Sequence, residues 1–292
     1  MRIEQGQCAL HFGTAFATST PMSTPRPTLT DPLALGHHRH RAQDEALFFH
    51  RTVREDVEDR LADVSRAFSD VTVISPFPQV WAGFGAALVP DGDILEFEPN
   101  SQDLIVHALC LHWADDPVGQ LVQCRRALRP DGLFIGALFG GQTLHELRAA
   151  LAEAEVATTG GLSPRILPMG EIRDLGALLA RAGFALPVAD SATSTVSYAD
   201  ATALMYDLRA MGEANALAER NRKTPPRNLF SRLNSVYSGA QGGKNGRIPA
   251  TFEVITLTGW APSADQPKPL RPGSAQTRLA DALGAKEFFA KD

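Results

Sequence analysis

DLIVHALCLHWADDPVGQLVQCRRALRPDGLFIGALFGGQTLHELR, residues 103–148, is the stretch of sequence from which the fold is predicted. The residues after Asp103 are apolar as far as Leu111, with only His107 polar, which is typical of a parallel strand covered on both faces. An amphipathic pattern then predicts a helix that ends at a Pro-Asp-Gly turn, and a second apolar run follows at 133–139. A strand, a helix and a second parallel strand form a crossover unit, so the stretch predicts an α/β sheet.

The remaining sequence adds helices and strands that suit one α/β domain. A long helical pattern covers residues 41–68 and precedes a short β-branched strand at 71–74. Asp115 and Asp116 are predicted to cap the N-terminus of one helix, with Pro117 at its first position, and Asp200 is the predicted N-cap of another that runs to Met211. Further helices are predicted at 170–182 and 225–237, and further strands at 184–188, 193–198 and 248–260.

Two of these runs resemble one protein superfamily. LHWADDP (111–117) and RRALRPDGLF (125–134) resemble the second half of a class I S-adenosylmethionine (SAM)-dependent methyltransferase. The resemblance covers roughly residues 61–262. It implies a Rossmann-like, mostly parallel sheet with a late antiparallel strand, and S-adenosylmethionine as the cofactor.

Within that superfamily the sequence is similar to two branches. One holds the assembly factor of respiratory complex I, a methyltransferase-fold protein associated with arginine hydroxylation of a complex I subunit. The other holds the malonyl carrier-protein methyltransferase of biotin synthesis. The runs GGLSPRILPM (160–169), RAGF (181–184) and RIPATFEVI (247–255) resemble the assembly-factor branch.

The first half of the expected cofactor site departs from the superfamily pattern. SAM-binding domains usually carry a glycine-rich turn after the first strand, because small residues let the backbone approach the ligand. Here that turn reads SPFPQVW (75–81), and Phe77 and Trp81 would fill the space that a ligand needs. The interval from Ile74 to Leu95 is about half of what a helix, strand, helix, strand passage requires. We therefore expect a fold truncated in its N-terminal half, with a degenerate SAM site.

Three residues are candidates for holding a cofactor in this half. Asp91 and Asp93 offer carboxylates near the end of a shortened strand, although VPDGD (89–93) is also a turn sequence. His107 lies toward the carboxyl end of the next strand, the edge at which ligands bind in such sheets.

His112 and Trp113 are the candidate catalytic residues. They resemble the residues that line the substrate mouth of the family, with His112 as a base and Trp113 as a stacking platform. The structural alternative is that Trp113 packs the strand end and His112 caps a loop.

Ser163 and Arg165, in GGLSPR (160–165), are candidate substrate-binding residues. The glycines follow a predicted helix and not a strand, so the run is not a phosphate loop. A lid or substrate-side connector would leave the Arg165 guanidinium available to a carboxylate or phosphate. A loop packed over the sheet edge is the slightly favoured alternative.

Composition fits one domain with two tails. The chain has 292 residues, of which 44% are hydrophobic, enough to bury a large core. A segment rich in Ser, Thr and Pro predicts a disordered tail at 1–35, with Met22 as an alternative translation start. A methyltransferase-like domain is then expected at 36–262 and a C-terminal arm at 263–292.

Several classes of function are not expected. The net charge of −5 does not favour nucleic acid as a partner, and no apolar run is long enough for a membrane span. A dense histidine cluster at 37–40 lies beside arginines and is interpreted as a solvated basic run, so no metal is expected. The cysteines lack metal-ligand spacing and suit a reducing compartment; they are Cys8, Cys110 and Cys124. We expect a bacterial cytoplasmic protein that reaches the inner membrane, if at all, through a partner.

A local basic run covers residues 220–247 and contains no Asp or Glu. Its members are Arg220, Arg222, Lys223, Arg227, Arg232, Lys244 and Arg247. Such a run would suit an acidic carrier protein or the acidic face of a complex I subunit. A solvated helix face is the common alternative.

Three functions remain open at this point. The first is a SAM-dependent methyltransferase-like protein of the complex I assembly factor family. The second is a non-catalytic assembly or chaperone protein with the same fold, which would tolerate a degraded cofactor half. The third is a carrier-protein methyltransferase of biotin synthesis, which would need both SAM and the basic run.

Overall fold

The computed structural model describes residues 28–243, 245–266 and 284. Within them the helices are α1 (Pro32–His40), α2 (Phe48–Asp63), α3 (Pro117–Ala127), α4 (His145–Thr159), α5 (Ile172–Ala182), α6 (Ala201–Ala210) and α7 (Arg227–Gln241). The strands are β1 (Val71–Ile74), β2 (Ala87–Val89), β3 (Gln102–Ala108), β4 (Leu128–Phe139), β5 (Ala185–Tyr198) and β6 (Ile248–Trp260). Short 3₁₀ turns lie at Asp44–Ala46, Pro78–Trp81 and Leu111–Trp113.

The strands form one six-stranded sheet in the order β2-β1-β3-β4-β6-β5. β1 pairs in parallel with β2 and β3, and β3 pairs in parallel with β4. β6 runs antiparallel to both β4 and β5. The expected mostly parallel α/β sheet with a late antiparallel strand is therefore confirmed.

The expected truncation of the first half is also confirmed. In the described residues β1 leads to β2 through the 3₁₀ turn at Pro78–Trp81, with no α-helix between the two strands. β2 itself has only 3 residues. The sheet edge on this side is correspondingly short.

Two apolar layers cover the sheet because successive side chains of a strand point to opposite faces. In β3, Leu104 and Val106 face the layer that contains α2, α4, α6 and α7. Ile105 faces the layer that contains α3 and α5. The edge at the carboxyl ends of the parallel strands is therefore supported from both faces of the sheet.

Local sequence signals set the ends of several helices. Asp116 accepts a hydrogen bond from the Gly119 amide at 2.9 Å, and Pro117 occupies the first turn of α3. Asp200 caps α6 in the same way, with 2.8 Å to the Ala203 amide. Gly183 ends α5 at a positive φ of 86°, which glycine adopts without a steric cost. The predicted caps at Asp116 and Asp200 are confirmed.

Three predicted boundaries are corrected. The tail expected to reach residue 35 ends earlier, because Asp31 caps α1 and Pro32 occupies its first turn. The long helix predicted at 41–68 is a 3₁₀ turn followed by α2. The two strands predicted at 184–188 and 193–198 are one edge strand, with a register shift beside Pro187. Residues 1–27 and 267–283, which hold Cys8, Met22 and most of the predicted arm, lie outside the described residues.

Candidate functional site

The carboxyl ends of β1, β3 and β4 meet at one edge of the sheet, where ligands bind in α/β folds. Helix α1 and the segment after α6 cover this edge. Leu35 of α1 packs with Trp113 and Leu217 in one buried cluster. Thr30 forms a β-bridge with Leu217 and donates to the Trp113 carbonyl at 2.7 Å. The two chain segments are therefore fastened together beside the end of β3.

A cavity of about 320 Å³ opens beside this edge. Its walls are mainly apolar and come from β4, α4, α6, α7 and β6. They include Phe139, Leu144, Leu147, Met205, Phe230 and Phe252. The polar and charged wall residues include Trp113, Thr143, Arg165, Arg209, Glu213 and Asn215. A predominantly apolar cavity with a few polar groups is typical of a binding site.

Glu213 is the only acidic residue among the described residues that line this cavity. Its Oε2 accepts a hydrogen bond from Trp113 Nε1 at 2.8 Å and lies 3.4 Å from His112 Nε2. Burial by itself raises the pKa of Glu213, but the interactions with His112, Arg39 and Trp113 outweigh burial and hold the pKa below its ordinary value. The cavity wall therefore carries an ionised carboxylate.

One carboxylate oxygen of Glu213 is left for a ligand. Among the described residues, both side-chain bonds are made to Oε2, and none is made to Oε1. His112 is buried behind the wall, with its ring edge-on to Phe139 at 5.2 Å. Its Nδ1 has no hydrogen-bond partner in the described part of the chain.

The predicted substrate-binding residues Ser163 and Arg165 are held by Glu155 of α4. Glu155 Oε1 accepts from Ser163 Oγ at 2.5 Å and from Arg165 Nη2 at 2.6 Å. Arg165 lines the cavity, whereas the hydroxyl of Ser163 is used to fix the loop. The bonds of Ser163 to Glu155 fasten the loop to α4.

The turn after β1 does not form a cofactor cradle. Phe77 and Trp81 are buried, with 3% and 1% of their surfaces exposed, and they occupy the core beneath the turn. Gly212 approaches the Phe77 ring, since a Cβ there would lie 3.3 Å from Phe77 Cζ. The groups around the end of β1 are thus packed against protein, and they do not fit S-adenosylmethionine in the usual geometry.

Asp91 and His107 are likewise engaged inside the protein. Asp91 Oδ2 accepts from Arg39 Nη1 of α1 at 2.5 Å. His107 is fully buried and lies 2.9 Å from Gln120 Oε1 and 3.3 Å from Cys110 Sγ. Both side chains are therefore held by protein groups, and neither lines the cavity described above.

Asp93 is exposed, and its carbonyl accepts a hydrogen bond from Gln123 Nε2 at 3.0 Å.

Cys110 is buried, and burial raises the pKa of its thiol.

The described residues contain no cluster of three or more His, Cys, Asp or Glu that could hold a metal ion. His37, His38 and His40 lie in α1. Among the described helices, none is long and apolar enough to cross a membrane.

The basic run at 220–247 does not form one uniform surface. Arg220 and Arg222 pair with Asp31, at 2.9 and 3.0 Å. Arg232 lies 4.0 Å from Glu153, and Arg247 donates to Ser197. Lys223 and Arg227 are exposed, and Lys244 lies outside the described residues. The positive charge of the run is therefore partly neutralised by Asp31 and Glu153 of the same chain.

The structure thus places Trp113 and Arg165 in the cavity wall and His112 behind it, but sequence reasoning missed Glu213. The sequence gives one weak indication of Glu213, which is an acid placed just after α6. A negative charge is unfavourable near a helix C-terminus, so an acid there needs a stabilising partner. Arg39 was also missed, since it lies in the segment next to the predicted tail.

Comparisons with known proteins bear on the whole domain. A family described as a methyltransferase domain matches residues 62–136. The arginine-hydroxylase NDUFAF5, mitochondrial, of Danio rerio is 38% identical over 194 residues, which are 66% of this chain and 60% of that protein. The Homo sapiens protein of the same name is 39% identical over 195 residues, covering 67% of this chain and 56% of that protein.

A third relative has a different name. The malonyl-(acyl-carrier protein) O-methyltransferase of Xylella fastidiosa (strain M23) is 36% identical over 180 residues, which are 62% of this chain and 59% of that protein. In all three comparisons the chain spans less than two thirds of the relative's own length.

Proposed function

We propose, from the similarity of this chain to the arginine-hydroxylase NDUFAF5 proteins, that its cavity binds an arginine side chain of a partner protein. The proposal is carried by one observation, the ionised Glu213 carboxylate in an otherwise mainly apolar wall. The partner presents the arginine, and the cavity fixes its position.

The cavity matches both parts of an arginine side chain. The aliphatic stem packs against apolar surface, which Leu147, Met205 and Phe252 provide. The guanidinium is a permanently charged, planar donor that prefers a carboxylate. Glu213 supplies that carboxylate with Oε1 unused by the described residues, and Trp113 fixes the position of its other oxygen.

The biological setting that we propose is the assembly of respiratory complex I. It rests on the resemblance to the assembly-factor branch and on the relatives that carry the arginine-hydroxylase name. An arginine of a complex I subunit is then the group bound, at the cytoplasmic side of a bacterial membrane. Capture of that arginine serves either its modification or the chaperoning of the subunit.

SAM-dependent methyl transfer is the second candidate, and the match of residues 62–136 to a methyltransferase domain favours it. A malonyl carrier protein would be the acceptor by analogy with the Xylella relative. Against this candidate, Phe77 and Trp81 are core residues and Asp91 is paired with Arg39. Of the predicted cofactor-binding residues, Asp93 alone stays exposed.

Calorimetric titration separates the two candidates. We expect a short peptide with one arginine to bind at least about tenfold more tightly than the same peptide with citrulline, which has the same shape but no charge. Lysine in the same position should bind more weakly than arginine because its ammonium is more strongly hydrated and loses more on entering a mainly apolar cavity. Equal binding of the arginine and citrulline peptides would contradict the proposal.

S-adenosylmethionine is the second titrant, and we expect no saturable binding at millimolar concentration. Micromolar binding would instead favour the methyltransferase candidate. In that case the acceptor, and not the cofactor, becomes the open question.

A further inference from the structure

A second, open cleft of about 410 Å³ lies beside α1. Its wall includes Asp31, His38, Arg41, Arg220 and Arg222. A hollow of about 190 Å³, lined by His38, Arg41, Arg209 and Ala214, shares His38 and Arg41 with this cleft. It shares Arg209 and Ala214 with the cavity that contains Glu213. A path along the surface therefore connects the proposed arginine site with the cleft.

We call the second site the cationic cleft and define it by Arg41, Arg209, Arg220 and Arg222, grouped around His38. Asp31 is the one carboxylate among the described residues that line it. Four guanidinium groups thus face one carboxylate, and the site carries a net positive charge. The excess is local, since the whole chain has a net charge of −5.

The arginines of the cationic cleft repel each other, and their charges lower the pKa of the neighbouring His38. Burial lowers the pKa of His38, and the charges of Arg220, Arg41 and Arg209 lower it further. Asp31 binds Arg220 and Arg222 together, but the Arg222 side chain keeps 67% of its surface exposed. Because like charges repel, an anion in this cleft would relieve repulsion that Asp31 alone does not offset.

Resting on the proposed function, we propose that the cationic cleft binds acidic side chains of the same polypeptide that presents its arginine to Glu213. The substrate class is then an arginine flanked by aspartate or glutamate. A partner chain that runs from the cavity across Arg209 and Ala214 brings its neighbouring residues to Arg41 and Arg222. The two sites have opposite charges, so they also fix the direction of the bound chain.

Four labelled peptides test the two sites independently. Each has arginine or citrulline at the centre and either glutamates or glutamines on one side, with the glutamates one to four residues away. We expect the glutamate flank to tighten binding on the order of tenfold at low salt, and this gain to shrink as ionic strength rises. Equal affinity of the glutamate and glutamine peptides, with arginine still preferred to citrulline, would contradict the proposal that the cationic cleft binds acidic side chains. It would still support the proposed arginine site.

A gain from glutamate without any preference for arginine would overturn the proposed function and support the cleft alone. Failure of every peptide to bind would contradict both proposals.

Surface variants locate the effect. Arg41→Gln and Arg222→Gln change exposed side chains and should each remove most of the glutamate gain without changing the preference for arginine. Arg173→Gln is the matched control, because Arg173 is an exposed arginine on α5, which packs on the opposite face of the sheet. If Arg173→Gln reduced the gain as much as Arg222→Gln, the effect would be general charge and not the cleft.

Discussion

At the scale of single residues, Glu213 is an acid that its own helix does not favour. It follows α6 by a few residues, where the exposed carbonyls repel negative charge, and its amide donates to the Leu208 carbonyl at 2.9 Å. His112, Trp113 and Arg39, all at least 100 residues earlier in the chain, provide the compensation. An acid held in this way is suited to binding a cation that arrives from outside.

Replacing Glu213 by Gln should remove the preference for an arginine peptide over a citrulline peptide, and weaken arginine binding by about tenfold or more. Gln keeps the shape and an acceptor for Trp113, so stability should change little. Anisotropy titration and urea denaturation of the same protein measure the two effects. Glu219→Gln, an exposed acid in the same segment, is the control. Retained discrimination in the Glu213→Gln protein would remove Glu213 from the site.

At the scale of elements, α1 closes the edge where a cofactor would otherwise be expected. Arg39 extends from α1 to Asp91 after β2, and both side chains are mostly buried, at 12% and 15% exposed. Two of the Arg39 nitrogens, Nε and Nη2, have no partner in the described part of the chain. The ion pair fastens the N-terminal helix to the shortened half of the sheet.

Removing one partner of this pair should cost more than removing both. Arg39→Met leaves the Asp91 carboxylate buried and unpaired, and we expect a loss of about 3 kcal/mol in the free energy of unfolding. The double variant Arg39→Met/Asp91→Asn should recover part of that loss. Urea denaturation of the two single variants and the double variant gives the coupling energy. Strictly additive losses would mean that the pair does not connect the two elements.

The elements were predictable where local patterns decide them. The apolar runs of β3 and β4 and the caps at Asp116 and Asp200 depend on neighbouring residues, and they were predicted correctly. The missing helix after β1 was also readable, from the length and the composition of the turn. By contrast, residues 32–35 at the start of α1 were assigned to a tail, because the position of α1 depends on contacts with residues near 91 and 213 that no local pattern shows.

The site was predictable only in part, for the same reason. Trp113 and Arg165 were expected near a ligand, and both line the cavity. Their partners, Glu213 and Glu155, were not expected, because each pairing depends on how distant segments or helices pack. From the sequence, His107 and Asp91 could bind a ligand. In the fold, His107 is bonded to Gln120 and Asp91 is paired with Arg39, and these tertiary contacts cannot be read from local sequence.

At the scale of the whole molecule, buried histidines make the fold sensitive to acid. Burial lowers the pKa of His50 and of His107 from 6.5 to about 4. Between pH 6.5 and about pH 4 the unfolded chain binds more protons than the folded chain, so the free energy of unfolding decreases as the pH falls. Each histidine contributes on the order of 3 kcal/mol across the full window.

The urea midpoint should therefore fall clearly between about pH 7 and about pH 5. His50→Gln removes one of the two groups and should make the decrease shallower, although the variant is less stable at neutral pH. His37→Gln, at an exposed position on α1, should leave the slope as it is. A slope that is the same in the His50→Gln protein and the unchanged protein would contradict the assignment.

The bridge between Thr30 and Leu217 has a consequence for the order in which the protein is made. The walls of the cationic cleft come from α1 and from the segment with Arg220 and Arg222, so synthesis delivers one long before the other. A chain still emerging from the ribosome has α1 but neither Glu213 nor Arg222, and closing so long a loop carries an entropic cost. Under the proposed function, partner capture is thereby delayed until nearly the whole domain has been translated and folded.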